Sequence, residues 1–216
     1  MSLKDIVLQK IIEQGTLPLF FDHDRERSAA ILRTLYQAGV RVFEFTNRGA
    51  EALEVFEHLI AVRDAEMQDL YLGIGTIKSV EDAQQFLQVG ADFIVAPLVN
   101  PLVGSLVHEQ HKLWIPGCMT PTEIYTAQQQ GAALIKLFPA NILGPAFMSS
   151  IRELFKDQKF MPTGGVEIEM ENLKAWFRSG VCAVGMGSKL IDPKDTAQLF
   201  ENTKKALDFV SKARQQ

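Results

Sequence analysis

The sequence is poor in cysteine, in long apolar runs and in dense basic runs, and each shortage argues against a class of protein. Its two cysteines, Cys118 and Cys182, lie far apart and form no CxxC pair, so we expect free thiols and a cytoplasmic protein. The sequence has no run of about 18 apolar residues, which a membrane span would require. Residues 1–6 lack the apolar core of a signal peptide. The formal net charge is −4 without any Lys/Arg cluster, which argues against nucleic-acid binding.

What the 216 residues do contain is a regular alternation of short apolar runs with longer amphipathic stretches. Each pair takes about 25 residues, which is typical of βα units and a parallel sheet. The apolar runs cover residues 17–21, 40–45, 70–74, 93–96, 113–116, 134–137, 160–162 and 183–185. Eight such units predict one α/β domain over residues 1–216, a (β/α)8 TIM barrel with an N-terminal helix. An open doubly wound sheet is the alternative, but no glycine-rich nucleotide loop follows the first run.

Four glycines support the repeated layout. Gly39, Gly90, Gly131 and Gly180 each end a helical pattern just before an apolar run, where a left-handed cap is expected. Helices are predicted over residues 28–38 and 195–212, and others are predicted to open at Ser79, Pro121 and Gly144.

Two polar residues interrupt apolar strands and are candidates for chemistry. Lys136 shares a strand face with Leu134 and Phe138, and a desolvated lysine has a lowered pKa that makes it nucleophilic. Its alternative is a lysine that extends to solvent or pairs with a carboxylate. Glu44, between Phe43 and Phe45, would have a raised pKa suited to proton transfer. Its alternative is a buried ion pair with Lys136 or Arg48.

Other candidates lie just after strands, where barrel active sites are found. Arg48 could bind a substrate carboxylate bidentately, although a solvated loop arginine is the alternative. Thr76 ends the Gly73–Thr76 segment and offers a hydroxyl. Glycine-rich turns at 162–165 and 184–188, after the seventh and eighth strands, suit phosphate binding through backbone N–H groups, unless they are ordinary turns. The neighbouring Lys189 is close enough to the second turn to assist an anion. The four histidines have no metal-ligand spacing such as HExxH.

Taken together, these segments resemble the 2-keto-3-deoxy-6-phosphogluconate (KDPG) and 4-hydroxy-2-oxoglutarate (KHG) aldolase family, whose members are class I aldolases. The matching segments run in family order over nearly the whole chain: residues 39–48, 73–76, 94–97, 115–123, 135–140, 162–166 and 184–188. The Ile135–Ala140 block and the Pro-Thr-Gly-Gly turn at 162–165 are the most specific in combination.

The resemblance implies a role for each residue that falls on the family motif. Lys136 falls on the Schiff-base lysine and Glu44 on the general acid/base. Arg48 and Thr76 fall on residues that hold the pyruvate carboxylate, and Thr163 falls on a residue near the substrate hydroxyls. Two further sets are implied: Pro97 and Phe138 line the pocket, and Gly164, Gly165, Gly187 and Ser188 form the phosphate site. The family also implies a homotrimer that needs no metal or other cofactor.

The implied reaction is cleavage of a phosphorylated 2-keto-3-deoxy sugar acid, KDPG, to pyruvate and glyceraldehyde 3-phosphate. KHG cleavage to pyruvate and glyoxylate is a further expectation. The alternatives are a 2-dehydro-3-deoxy-6-phosphogalactonate aldolase, a phosphosugar isomerase or decarboxylase, and a non-catalytic phosphosugar-binding protein.

Two departures from the family pattern put the substrate in question more than the reaction. Residues 19–23 offer no arginine after the first strand, and Asn141 stands where relatives often have an acidic residue.

Overall fold

The computed structural model of the protein describes residues 2–192 and 196–215. The strands are β1 (Thr16–Phe20), β2 (Val42–Thr46), β3 (Tyr71–Gly75), β4 (Phe93–Val95), β5 (Leu113–Ile115), β6 (Gly117–Cys118), β7 (Leu134–Leu137), β8 (Lys159–Pro162) and β9 (Val184–Met186). The helices are α1 (Leu3–Gln14), α2 (Arg25–Gln37), α3 (Ala52–Glu66), α4 (Val80–Gln88), α5 (Pro101–Glu109), α6 (Pro121–Gln129), α7 (Ala140–Ile151), α8 (Met170–Arg178) and α9 (Leu199–Arg214). No helix within these ranges has the length and apolarity that crossing a membrane requires.

The strands form a curled, wholly parallel arrangement in two sheets. One sheet has the order β5-β4-β3-β2-β1-β9 and the other the order β6-β7-β8. Every predicted apolar run overlaps a strand, but the fifth run differs from the prediction, because β5 ends at Ile115 and the short β6 follows Pro116. Proline has no N–H to donate to a ladder, which accounts for the division at that residue.

Alternate residues of the strands pack into two separate apolar clusters. The inner cluster is Val7, Ile11, Leu17, Val42, Phe93, Val95, Leu113, Ile115, Leu134, Met161 and Ala183. The outer cluster, between strands and helices, contains the residues of opposite parity, such as Phe43, Phe45, Ile135 and Leu137. The alternation of faces therefore assigns Lys136 to the side of Leu134 and Glu44 to the side of Val42.

The predicted N-terminal helix covers one end of the inner cluster. A capping box of Ser2 and Asp5 opens α1, and Gly15 in the left-handed region closes it. Its Val7 and Ile11 belong to the inner cluster. The Gln14 amide donates to the carbonyls of Thr16 and Val42, at the starts of β1 and β2. Since α1 occupies the amino ends of the strands, the carboxyl ends remain for a site.

The predicted glycine caps have the expected backbone. Gly39, Gly90, Gly131 and Gly180 have φ values of 111°, 108°, 76° and 102°, all in the left-handed region. The predicted helix starts at Ser79 and Pro121 are confirmed, because Ser79 caps α4 and Pro121 is the first residue of α6. Other starts differ from the prediction. The α2 helix begins at Arg25 because Asp24 caps it. The α7 range begins earlier than predicted, at Ala140, but it consists of two helical segments separated by the non-helical Gly144, at φ 71° and ψ 166°, so a segment does open at the predicted Gly144-Pro145. The predicted start of the last helix, Asp195, lies outside the described residues.

Candidate active site

A cavity of about 510 Å³ opens at the carboxyl ends of the strands. Apart from Glu44, every residue predicted for the site lines it: Arg48, Thr76, Pro97, Lys136, Phe138, Thr163, Gly164, Gly165, Gly187 and Ser188. These residues come from the ends of six strands, β2, β3, β4, β7, β8 and β9, that are far apart in sequence. A cavity that gathers them is where the fold can bind a small molecule.

Lys136 lies in the floor of the cavity. Its position on β7, between Gly117 of β6 and Met161 of β8, fixes its backbone by ladder hydrogen bonds. Lys136 is only 5% exposed, so its side chain does not extend into open solvent. Its Nζ lies 5.2 Å from the centroid of the Phe138 ring. Burial lowers the pKa of Lys136, while the nearby Glu44 carboxylate opposes that change. The arrangement favours the neutral, nucleophilic amine.

Glu44 is buried beside the cavity and not in its lining. It is 1% exposed, and neither carboxylate oxygen has a hydrogen-bond partner among the described residues. Burial raises the pKa of Glu44, and the charges of Lys136 and Arg48 oppose the rise. The flanking Phe43 and Phe45 pack in the outer cluster, so the desolvation comes from the enclosed inner face. A hydrogen-bonded ion pair, the alternative considered for Glu44, does not form between the described groups.

A glycine makes room for the Glu44 carboxylate. A Cβ at Gly75, on the neighbouring strand β3, would lie 1.7 Å from Glu44 Oε1 and 2.6 Å from its Cδ. No side chain fits there unless Glu44 moves. No local pattern in the sequence indicates this function of Gly75, which only the β2–β3 pairing reveals.

We expect Gly75→Ala to displace the Glu44 carboxylate. If Glu44 takes part in a reaction in this cavity, a displacement of about 1 Å should lower kcat by about a hundredfold. The matched control is Gly73→Ala on the same strand, where the added Cβ would meet the Phe93 ring at 2.4 Å instead. Both variants should lower the melting temperature through overpacking. Steady-state kinetics and thermal melts decide the matter, and an equal loss of kcat in both variants would contradict the assigned role of Gly75.

The carboxylate-binding candidates lie at the mouth of the cavity. Arg48 is exposed, and no carboxylate of the described residues lies within 4.0 Å of it, so its guanidinium is available to an anion. Thr76 has φ 65°, a left-handed backbone that is uncommon for threonine. Such outliers gather at ligand-binding positions. Pro97 follows β4 and completes this side of the mouth.

The opposite side of the cavity is built from backbone turns. Gly164 and Gly165, at φ 91° and 85°, adopt a turn that other residues rarely adopt. The buried Thr163 Oγ1 has no hydrogen-bond partner among the described residues. A Cβ on Gly185 would lie only 2.2 Å from this oxygen, so the glycine leaves the room that the Thr163 side chain occupies. Within the described ranges, no three His, Cys, Asp or Glu side chains form a metal-ligand cluster.

The model of the family described as KDPG and KHG aldolase matches residues 7–204. The chain belongs to the KDPG and KHG aldolase family. The 2-dehydro-3-deoxy-phosphogluconate aldolase of Treponema pallidum is 37% identical over 144 residues, which span 66% of this chain and 67% of that protein. The 2-dehydro-3-deoxy-6-phosphogalactonate aldolase of Escherichia coli is 30% identical over 171 residues, 74% of this chain and 82% of the relative.

A solved structure of a family member agrees in fold. The crystal structure of a 4-hydroxy-2-oxoglutarate and 2-dehydro-3-deoxyphosphogluconate aldolase superposes with a TM-score of 0.81 at 29% identity. The match covers 94% of this chain and 98% of that one. The resemblance inferred from the sequence is thereby confirmed, and the chain is similar to aldolases, which are carbon–carbon lyases.

Some cavity residues of this family member were not predicted. Leu19, Phe20, Phe21, Val166 and Ile191 form apolar wall next to the glycine turns. Strand parity gives a usable signal for Leu19, since Leu17 of the same strand faces the inner cluster. The others lie on loops or at a strand end, where no periodicity operates.

The two departures from the family pattern have structural consequences. After β1, Asp22 is buried and accepts two hydrogen bonds from Arg27, at 2.5 and 2.6 Å. Although burial opposes it, the Arg27 bonds leave the pKa of Asp22 lowered. The segment thus presents Phe20 and Phe21 to the cavity and no cation. Asn141 lies against the glycine turn, because a Cβ on Gly165 would lie 2.5 Å from the Asn141 Cβ.

Proposed function

We propose that the protein is a class I aldolase that cleaves KDPG to pyruvate and glyceraldehyde 3-phosphate through a Schiff base on Lys136. The observation that carries the proposal is a buried lysine, with a pKa lowered by burial, in the floor of a cavity beside an unpartnered buried carboxylate. Membership of the KDPG and KHG aldolase family supports the same reaction.

In the first stage, the neutral Lys136 amine attacks the C2 ketone and forms a carbinolamine. Glu44 in its protonated form, directly or through one water, donates the proton that lets hydroxide leave as water. The product is an iminium ion bound to Lys136. Burial, which raises the pKa of Glu44 and lowers that of Lys136, favours the protonation state that each group needs here.

In the second stage, the Glu44 carboxylate takes the C4 hydroxyl proton. The C3–C4 bond breaks, its electron pair passes to the iminium nitrogen, and an aldehyde and an enamine remain. Protonation of the enamine at C3 and hydrolysis of the resulting iminium release pyruvate and restore the amine. The iminium is the electron sink, so the chemistry we propose needs no metal or other cofactor.

The two ends of the substrate have separate contacts in this proposal. Arg48 and Thr76 orient the carboxylate, with Pro97 and Phe138 lining the pocket around the pyruvate portion. Thr163 Oγ1 takes a substrate hydroxyl as the partner it lacks in the chain. Backbone N–H groups of Gly164, Gly165, Gly187 and Ser188 bind the phosphate.

A second substrate has support of its own. The Escherichia coli relative is a 2-dehydro-3-deoxy-6-phosphogalactonate aldolase, so that C4 epimer is the alternative substrate. KHG, without a phosphate, tests how much the glycine turns contribute. An isomerase, a decarboxylase or a binding protein on the same fold would release no pyruvate from any of these compounds.

The test is a coupled pyruvate-release assay over KDPG, its galactonate epimer and KHG. We expect turnover of KDPG with the highest kcat/KM of the three. A higher kcat/KM for the epimer would mean that the epimer, and not KDPG, is the physiological substrate, while the proposed aldol cleavage would stand. Binding of these compounds without pyruvate release would reject the aldolase proposal.

We propose further that the two sheets close into the predicted (β/α)8 barrel and that residues 1–216 form one domain. Between β8 and β9, Thr163 and Gly185 form a parallel bridge, and Cys182 N–H donates to the Phe160 carbonyl at 3.0 Å. Between β5 and β6 only Pro116 intervenes, and its carbonyl accepts from Lys136 N–H. These contacts support closure at both seams.

A cytoplasmic location is likewise a proposal. Cys118 and Cys182 are free thiols. Burial raises the pKa of Cys118 to about 12 and that of Cys182 to about 11, which keeps both as unreactive thiols. Unpaired cysteines of this kind are typical of reducing compartments.

We propose that the protein is a homotrimer that self-associates through an apolar patch. The patch consists of exposed residues on three successive βα units: Leu98, Leu102, Met119, Tyr125 and Ile142. Large apolar side chains that are exposed together mark association surfaces.

Replacing Leu102 and Tyr125 together with Asp should convert the trimer to a monomer, because two charges would be buried without partners. Light scattering coupled to size exclusion measures the mass. Leu154→Asp is the matched control. Leu154 is as exposed as Leu102, but it precedes β8 and so lies toward the amino ends of the strands, whereas the patch residues follow their strands. A native mass equal to one chain, or a double variant that remains trimeric, would reject the interface.

A further inference from the structure

Among the described residues, three basic side chains line the cavity, and they are unevenly distributed. Lys136 and Arg48 lie close enough to Glu44 to influence its pKa, so both belong to the reacting end. The third, Lys189, directly follows Ser188 in the second glycine turn. Lys189 is therefore the lining cation placed where the phosphate of a substrate would bind.

Lys189 forms an ion pair with a carboxylate that follows the first glycine turn. Its Nζ lies 3.1 Å from Oε1 of Glu167, which stands two residues after Gly165. The pair joins the segment after β8 to the segment after β9, across the edge of the cavity. Both side chains are partly exposed, at 56% and 38%. An exposed pair of this kind contributes little stability and exchanges partners readily.

A phosphate dianion is a stronger partner for Lys189 than Glu167 is, because it carries more charge and more acceptor oxygens. The backbone of the glycine turns supplies hydrogen bonds but no net charge. The side chain packed against Gly165 is the neutral Asn141, which adds no repulsion there. Lys189 is thus the residue that supplies a positive charge for the phosphate, the group that distinguishes a phosphorylated from an unphosphorylated substrate.

We propose that Lys189 is the specificity-determining residue for the phosphate group, and that Glu167 positions it between turnovers and releases it to the bound phosphate. The inference rests on the proposed aldolase function and names the side chain that selects its substrate class. It predicts opposite effects at the two positions. Loss of Lys189 weakens binding of phosphorylated substrates, and loss of the Glu167 charge strengthens it.

The experiment compares KDPG and KHG kinetics in Lys189→Met, Lys189→Arg and Glu167→Gln. Lys189→Met should raise KM for KDPG about tenfold to a hundredfold, the effect of one charged hydrogen bond, with kcat unchanged. Lys189→Arg should restore most of the loss. Glu167→Gln should lower KM for KDPG about twofold to threefold, since one repulsive surface charge is removed. The KHG constants should stay within about twofold in all three variants, since KHG has no phosphate to lose a contact.

Lys156→Met is the matched control, because Lys156 forms an equivalent exposed ion pair, 3.1 Å from Glu153. This pair precedes β8 and so lies toward the amino ends of the strands, away from the cavity. Equal changes for KDPG and KHG in Lys189→Met, or no change for either, would overturn the inference. Calorimetric binding of glycerol 3-phosphate separates it from the aldolase proposal. If no substrate is turned over but Lys189→Met still weakens this ligand at least tenfold, the aldolase proposal fails and the inference stands.

Discussion

Lys136→Met is expected to lower kcat by on the order of 10⁴-fold or more, the scale seen when a covalent nucleophile is removed. Methionine is similar in length and shape but has no amine, so no Schiff base can form. The melting temperature should stay equal or rise, because an apolar side chain replaces a buried amine that is costly to desolvate. Lost activity would then not result from lost fold.

Lys112→Met is the matched control for that variant. Lys112 is also partly buried, its pKa is likewise lowered by burial, and its Nζ donates to the Ala91 carbonyl away from the cavity. We expect Lys112→Met to keep kcat within about threefold of the parent, as for a residue outside the reacting groups. Similar losses in both variants would mean that Lys136 acts through folding and not as the amine.

Glu44→Gln is expected to lower kcat by roughly 10²-fold to 10⁴-fold, the range for removal of a general acid/base. Glutamine occupies the same space beside Gly75 and cannot transfer the protons of dehydration or C–C cleavage. Trapping of pyruvate should slow but still occur, since the nucleophilic amine of Lys136 is still present in this variant. Unchanged turnover of KDPG would remove Glu44 from the mechanism.

The pH profile of trapping gives a second measurement on the same variant. The Glu44 carboxylate opposes the burial that lowers the pKa of Lys136. Without that negative charge, the pKa of Lys136 falls further, and the amine is neutral at lower pH. The rise of the trapping rate with pH should therefore shift toward lower pH in Glu44→Gln. A shift toward higher pH, or none, would contradict the assigned coupling of the two groups.

The strands and the site residues could be predicted from the sequence to the extent that each depends on local pattern. The parity of Leu134, Lys136 and Ile135 on β7 follows from alternation alone, and the inner and outer clusters agree with it. The glycine caps follow from the preference of glycine for positive φ. The grouping of Lys136, Glu44 and Arg48 needed the parallel-barrel rule that strand carboxyl ends meet.

What the sequence could not supply depends on pairing between distant segments. Gly75 makes room for Glu44 only because β3 lies beside β2 in that register. Asp22 binds Arg27, and Glu167 binds Lys189, through side-chain geometry that no periodicity encodes. The division of the fifth strand at Pro116 is a ladder effect of one residue. Contacts of this kind can be identified only when it is known which segments lie next to each other in the folded chain.

The central claim is a covalent intermediate on Lys136, and borohydride trapping tests it most directly. The protein is incubated with pyruvate and borohydride, digested, and mapped by tandem mass spectrometry. The account predicts one reduced pyruvate adduct, located on Lys136 and absent from Lys136→Met. Absence of an adduct under conditions of active turnover, or an adduct on another lysine that survives in Lys136→Met, would contradict it.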